Sequence, residues 1–469
     1  MRVFSFFKNL SWLIGLNLLI KPLWIFAIDR QVQNVVGHEA YGNYFALYGF
    51  TYVLAFIADA GLSTMLNQQI ASSQAINVRQ LFRLKILLLF IYVVVCLVLA
   101  WLIQAQQWQI LFYLIAIQGL TSVFIFLRSL LTANQYFKQD AWFSVIDKGL
   151  LIIASSGFLY GWFRPINLTI FLQLQLSTIT LSVIAILLFL NSRKVFSTEV
   201  ANKTTSLIKR IIPFAVIILF MSVHTRLDAF LLQRMHPNGA VEAGIFAAAY
   251  RLLDAANMLG YLAASFLVPF IARQQNNKPV VEKTILYTRH GLLTLAIGGA
   301  AFIWVFAPAL QAWLYHTLDT YTNQVLQYCL LALPAYYLIH IYGALLTGAG
   351  ELKTFVQILF LALIINIGLN IFFVPQYGAW GCCMAALVSQ YTCAFALCIG
   401  ATKKLQIAYG IKSILAYFLW AGLLLVSFYA LKNSILNVWI ILAVFITLVV
   451  VWLSLWKERI RQLLSSFNF

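Results

Sequence analysis

The stretch "LKILLLFIYVVVCLVLAWLI", Leu84 to Ile103, decides the fold. After Lys85 it carries no charge to its end. At about 1.5 Å of rise per residue, a helix of this length crosses the ~30 Å hydrocarbon core of a bilayer. Stretches like it recur along the whole chain. The 469 residues are 63% hydrophobic and 9% charged, with a mean hydropathy of +0.90. Soluble domains average about 25% charged residues. This chain has too little charge to cover a water-facing surface, so the sequence specifies an integral membrane protein. The strand-length alternation of a membrane barrel is missing. Helices are the remaining solution, because they satisfy every backbone N–H and C=O internally.

About fourteen spans are expected, at 10–29, 42–62, 84–103, 109–131, 145–163, 166–190, 211–232, 243–270, 285–306, 324–347, 354–374, 378–402, 411–431 and 434–456. The N-terminal "MRVFSFFKNLSWLIGLNLLIKPLWIF" has no small-residue cleavage site and reads as an uncleaved first helix. The net charge of +18 would suggest nucleic acid in a soluble protein, but its placement says otherwise. Of the 31 Lys and Arg, 24 fall at both termini, in alternate connections or at the adjoining helix ends. The clusters include Arg79/Arg83/Lys85, Arg193/Lys194/Lys203 and Lys403/Lys404. The opposite connections hold Arg30, Arg164, Arg234 and Lys432. The positive-inside rule then puts both termini in the cytoplasm, with the charge serving topology and contact with anionic membrane lipids, and no nucleic-acid partner. The six cysteines lie in apolar runs without metal-site spacing, so no metal is expected. No connection is long enough to fold as a separate domain.

A repeat organises the spans. "AYGNYFALY" (Ala40–Tyr48) aligns with "EAGIFAAAY" (Glu242–Tyr250), placing Gly42 on Gly244 and Tyr48 on Tyr250. The period is about six helices, an even number, which makes the repeats parallel about an axis along the membrane normal. The expected organisation is an N-terminal six-helix lobe (1–195), a C-terminal six-helix lobe (196–402), and two additional helices with a basic tail (403–469). Two such lobes meeting at a central cavity are the architecture of an alternating-access transporter.

A charge in mid-bilayer costs at least about 2.5–3.5 kcal/mol, so each one well inside a span needs a reason. Lys21 lies midway along span 1, followed by Pro22, which is expected to kink the helix. Asp59 lies in span 2; His224, Arg226 and Asp228 in span 7; Arg251 and Asp254 in span 8; His340 in span 10. All but His340 fall in corresponding helices of the two lobes. Lys21, Arg226 and Arg251 are candidates to line a cavity and bind substrate. Asp59, His224, Asp228 and Asp254 are candidates for ion coupling or for pairing. The alternative is that all of these charges pair among themselves and hold the lobes together. Arg251 and Asp254 are i,i+3 and can pair within one helix, as can His224 and Asp228 at i,i+4. Arg226 and Asp228 stand about 200° apart around the helix and cannot share a face. His340, alone in its span, is expected to be a packing residue. Arg128 and Lys148 near helix ends are expected to snorkel to headgroups. No catalytic motif is present.

These stations together resemble a known family. "RLDAFLLQRMHPNGAVEAGIFAAAYRLLDAANML" (226–259) and "EAYGNYFALYGFTYVLAFIADAGL" (39–62) resemble spans of Wzx-type polysaccharide flippases. These transport O-antigen and capsule repeat units and belong to the multidrug/oligosaccharidyl-lipid/polysaccharide exporter superfamily. "APALQAWLYHTLDTY" (307–321), "LLTGAGELK" (345–353) and "NIGLNIFFVPQYGAWGCCMAAL" (366–387) match further stations in order. Phe246 departs from a common Tyr, and Cys382/Cys383 from small residues. The resemblance implies a non-enzymatic flippase in the bacterial inner membrane. It would move undecaprenyl-pyrophosphate-linked oligosaccharide from the cytoplasmic to the outer leaflet, without a cofactor but with H+ or Na+ as candidate coupling ion. It also implies a polysaccharide polymerase and a chain-length regulator as candidate partners. A cation-coupled drug antiporter of the same superfamily is the alternative. A membrane glycosyltransferase or polymerase is a weaker one, since such enzymes usually need a sizeable outer loop.

Overall fold

The computed structural model describes residues 3–63, 66, 78–134, 136–163, 165–193, 195, 204–275, 277–406, 412–432 and 445–452. Among the described residues the regular structure is helical. α1 (Val3–Trp24) runs into a π-helical turn, Ile25–Asp29, and on into α2 (Arg30–Leu54). A short α3 (Phe56–Asp59) follows. Then come α4 (Val78–Leu102), α5 (Trp108–Ala133), α6 (Phe137–Leu159), α7 (Leu168–Ser192), α8 (Thr204–Met235) and α9 (Gly239–Arg273). α10 (Lys278–Tyr315), α11 (Thr320–Leu331), α12 (Leu333–Gly348), α13 (Leu352–Leu405) and α14 (Lys412–Lys432) complete the order.

Local chemistry sets the ends. The Asn167 side chain accepts from Ile170 N (2.8 Å) at the start of α7, and the Asp319 side chain from Thr322 N (3.1 Å) at the start of α11. Both satisfy N–H groups that a helix start leaves orphaned. Two breaks sit at glycines in conformations that a side chain resists. Gly37 (φ 82, ψ 166) separates the first turns of α2 from the rest, and Gly378 (φ 55, ψ −133) divides α13. Undivided, the 54 residues of α13 would run about 80 Å, far beyond a bilayer core. The break gives the two spans expected at 354–374 and 378–402.

Ten helices are long and apolar enough to cross a membrane among the described residues. The expected span 434–456 lies largely outside them, although 445–452 are helical and Trp452 stacks on Trp420 at 4.8 Å. Trp101, Trp162 and Trp313 are 70%, 77% and 69% exposed at or near helix ends. Amphipathic rings at that height suit the interface between headgroups and acyl chains. The expected kink at Pro22 takes a particular form. α1 continues through the proline, and the departure from α geometry is the π turn just after it. A π turn is one way to absorb the disturbance that proline causes.

The chain forms two compact units, Met1–Gly244 and Ile245–Phe469. In the first, α1 packs on α6, α5 on α7, and α2 on α8. Its core includes Leu62, Phe126, Leu127, Leu130 and Ile186. In the second, α12 packs on α13, and α10 on α11, α12 and α14. Trp420 and Phe428 of α14 are buried there against Ala301 and Val305 of α10. Packing thus divides the chain after Gly244, whereas the repeat suggests a boundary at 195/196. The reason is the close approach of α8 and the first turns of α9 to α2.

That seam is built on glycine. A Cβ on Gly42 would overlap Ala240 O and stand 2.6 Å from Gly244 N. A Cβ on Gly244 would overlap His38 O, with the carbonyl carbon at 2.7 Å. The alignment that pairs Gly42 with Gly244 also pairs His38 with Ala240. The contacts are therefore reciprocal, as a twofold axis generates: one segment meets its repeat mate, and the mate returns the same contact. A local twofold runs between residues 38–42 and 240–244. Gln33 Nε2 donates to Gly244 O (2.8 Å) and Gln233 Nε2 to Asn43 Oδ1, so polar groups close the seam's flanks.

Candidate functional site

The triplet in α8 divides by burial. His224 and Asp228 are each 1% exposed, whereas Arg226 is partly exposed. The i,i+2 spacing requires this, since it turns Arg226 away from the face that holds the other two. The Arg226 guanidinium lies over the Tyr52 ring of α2, 5.3 Å from its centroid. Its height is set by main chain, because Gly49 is one turn from Tyr52 and a Cβ there would stand 2.5 Å from Arg226 O. The quadrupole of the ring draws the cation to its face. A guanidinium over a ring still directs its N–H donors outward in its own plane.

Lys21, on α1, is partly exposed and lies within electrostatic reach of Arg128, Asp147 and Lys148. The contact of α1 with α6 is a polar stripe. Asn17 Nδ2 donates to Ser144 Oγ (2.7 Å), and Lys148 Nζ pairs with Asp147 (3.2 Å) and lies 4.6 Å from the Trp24 ring. Residues 17, 21 and 24 on one helix meet 144, 147 and 148 on the other, at the spacing that keeps side chains on one face. Arg128 forms a two-point pair with Asp140, Nε to Oδ1 at 2.8 Å and Nη2 to Oδ2 at 3.2 Å. The sequence expectation for Arg128 and Lys148 is a reach for headgroups. Each instead has a carboxylate within the protein, which spares it the cost of an unpaired charge near the apolar layer.

Asp59 is held by three donors. Its carboxylate accepts from Ser63 N (3.2 Å) and Ser63 Oγ (2.6 Å), capping the turn that follows. Lys85 Nζ reaches the same carboxylate at 3.0 Å and donates to Ser122 Oγ at 2.6 Å. Lys85 is only 1% exposed. It is thus not one of the loop charges among which the topology pattern counts it, but the buried partner of a carboxylate on another helix. Only its place at the very start of an uncharged run hints at this.

In the second unit, Arg251 is buried (4% exposed), with Nη1 3.8 Å from Oδ2 of Asp254. The i,i+3 spacing brings them together on α9. His340 of α12 is buried against Tyr261, ring centroids 4.3 Å apart. Gly260 lets them approach, since a Cβ there would stand 2.6 Å from the His340 ring. A cluster that sequence reading missed joins α10 to α12 and α14. Arg289 Nη1 donates to Tyr342 Oη (3.0 Å), His290 Nδ1 hydrogen-bonds Tyr417 Oη, and Trp420 Nε1 donates to Thr294 O (3.3 Å). Its signal is only the pair Arg289/His290 just inside an apolar run. Among the described residues no three His, Cys, Asp or Glu side chains gather as a metal site.

A bundle of apolar helices with basic side chains held inside its spans defines a multi-spanning membrane protein. The chain belongs to the polysaccharide biosynthesis protein family, whose model matches residues 6–275, more than half of its length. Its fold is shared with the lipid II flippase MurJ in an inward closed conformation. That likeness has a TM-score of 0.67 at 13% identity and covers 97% of this chain and 100% of that one. A MATE transporter in complex with MaL6 superposes with a TM-score of 0.64 at 14% identity, covering 85% and 96%. A mutant of the Vibrio cholerae MATE transporter VcmN gives 0.62 at 16% identity, covering 85% and 97%. These likenesses show a fold shared with MATE transporters of the MOP superfamily. No curated protein sequence matches the chain.

Proposed function

We propose that the protein is a flippase for undecaprenyl-pyrophosphate-linked oligosaccharide, moving it from the cytoplasmic to the outer leaflet of the bacterial inner membrane by alternating access. The observation that carries this reading is Arg226, a partly exposed guanidinium inside a span, in a chain of the polysaccharide biosynthesis family. A cation in that place favours a substrate with a multiply charged anionic group, and a planar fork of donors fits phosphate oxygens. Lys21 and Arg251 are further candidate phosphate ligands. The sugar crosses in the wet interior while the lipid tail stays in the bilayer. Asp59, His224, Asp228 and Asp254 are the candidates for a coupling H+ or Na+. The lobes 1–195 and 196–402 rock against each other, with 403–469 appended and both termini cytoplasmic. The polymer product, O-antigen or capsule, is then assembled outside by a polymerase and a chain-length regulator. No chemical step is assigned to the protein itself.

A drug antiporter is the second reading, favoured by the fold shared with MATE transporters. Arg226→Ala and Arg251→Ala separate the two. Under the flippase reading each abolishes surface polysaccharide while the protein stays in the membrane at normal level, as immunoblotting of membranes would record. Full surface polysaccharide in both variants sinks the site assignment. Deleting the gene should leave the lipid-linked repeat unit in the cytoplasmic leaflet. Normal glycans with new drug sensitivity would support the antiporter instead.

A further inference from the structure

The tyrosines of α2 form a ladder that ends on Arg226. Tyr44, Tyr48 and Tyr52 recur every fourth residue and so share one face of the helix. Their ring centroids are 6.2 Å and 5.8 Å apart in succession. The ladder changes character along its length. Tyr44 is buried, set edge-on to Phe171 of α7 at 6.0 Å, and its hydroxyl accepts from Gln175 Nε2 at 3.3 Å. Tyr48 and Tyr52 are partly exposed. Tyr44 is therefore a packing residue, and the two rings beyond it present surface.

That surface faces water rather than acyl chains. Arg226 covers the Tyr52 ring and is itself partly exposed. A guanidinium turned to lipid in mid-span costs at least about 2.5–3.5 kcal/mol, so the space it shares with Tyr52 is wet. A water-facing pair of tyrosines beside an arginine has the two chemistries that a glycosyl phosphate needs. The guanidinium donates to phosphate oxygens. The electron-rich ring face takes the slightly positive axial C–H groups of a pyranose. The step of 5.8 Å from Tyr52 to Tyr48 is close to the length of one sugar unit. The Gly49 contact with Arg226 O holds the cation and the rings at fixed spacing.

We propose that Tyr48 and Tyr52 are a stacking platform for the sugars next to the phosphate group that Arg226 binds. The inference rests on the flippase reading and deepens it. The ligand class is a glycan joined to a polyprenyl chain through phosphate, with the phosphate-linked sugar against the part of Tyr52 that Arg226 leaves uncovered and the next on Tyr48. Stacking uses ring faces rather than particular hydroxyls, so the platform selects pyranoses as a class. A cationic drug fits it badly, since Arg226 occupies the end of the same strip.

The test uses the full chain in lipid nanodiscs and two probes, polyprenyl pyrophosphate carrying a disaccharide and bare polyprenyl pyrophosphate. The wild type should prefer the glycosylated lipid by about tenfold. Tyr48→Leu and Tyr52→Leu should each bring the ratio of the two affinities towards one. Tyr52→Trp, which keeps an aromatic face, should retain it. A ratio unchanged in both leucine variants overturns the platform, and so does equal loss of both lipids, which is what a merely structural role gives. Equal binding of the two probes by the wild type overturns the platform and leaves the flippase reading standing. Binding of neither overturns both.

Discussion

Gly42→Val should abolish surface polysaccharide and leave the protein inserted in the membrane. The first atom of any side chain at this position overlaps a peptide oxygen, that of Ala240, and stands 2.6 Å from a peptide nitrogen, that of Gly244. Backbone cannot turn aside as a flexible side chain can, so the segments must separate. Under the proposed flippase reading the seam closes once per cycle, and a valine there wedges it apart. Gly244→Val should act alike, because the contact is reciprocal. Gly15→Ala is the control: nothing lies within 4 Å of its Cβ, and it removes a flexible residue from a helix, which stabilises by roughly 0.5–1 kcal/mol. Thiol-reactive labelling of a cysteine placed at Asn43 should rise in the valine variants if the seam is held open. Normal transport by Gly42→Val would show that the seam never needs to close this tightly.

Lys85→Met is the second substitution with a large expected effect. It leaves Asp59 charged, with Ser63 as its remaining partner, beside a space that no longer holds a cation. Breaking a buried ion pair from one side costs about 3–5 kcal/mol. Adding Asp59→Asn to Lys85→Met should recover much of that loss, because the amide oxygen can accept from Ser63 N and the amide N–H can donate to Ser63 Oγ without a net charge. Thermal unfolding in detergent would read both steps. If the double variant is no more stable than Lys85→Met, the pair is not what the charge of Lys85 answers to. The transport assay tests Asp59 separately. A stable double variant that cannot transport would place Asp59 in coupling, and one that transports normally would make the pair structural.

The helical class and the glycine repeat can be read from the amino-acid pattern, because both rest on local order: runs of apolar residues and a recurring Gly-x-Tyr/Phe. The burial split within His224, Arg226 and Asp228 is legible for the same reason, as helical phase is a local quantity. Partners across helices are not. Lys85 and Asp59 are 26 residues apart, and Arg128 and Asp140 lie on successive helices. The positive-inside rule counts a basic residue by its place along the chain and has no measure of which way it turns. That is why Lys85, at the start of an apolar run, falls among the loop charges in the sequence. The packing division after Gly244 is hidden too. Covalent repetition sets where one copy ends, whereas compactness depends on which helix another lies against.

The π turn at Ile25–Asp29 carries one more consequence. It sits between two anchors on the same rod: Asn17 bound to Ser144 before it, and Asp29, which accepts from the Tyr41 hydroxyl at 2.7 Å, at its end. A π turn holds one residue more than an α turn, so it works as a phase shifter between those anchors. Were the same residues to relax into plain α geometry, everything before the turn would rotate by about 100° relative to everything after. Asn17 and Lys21 would swing off α6 together, with no residue that touches either of them altered. The rod's bearing, rather than any side chain on it, aims Lys21.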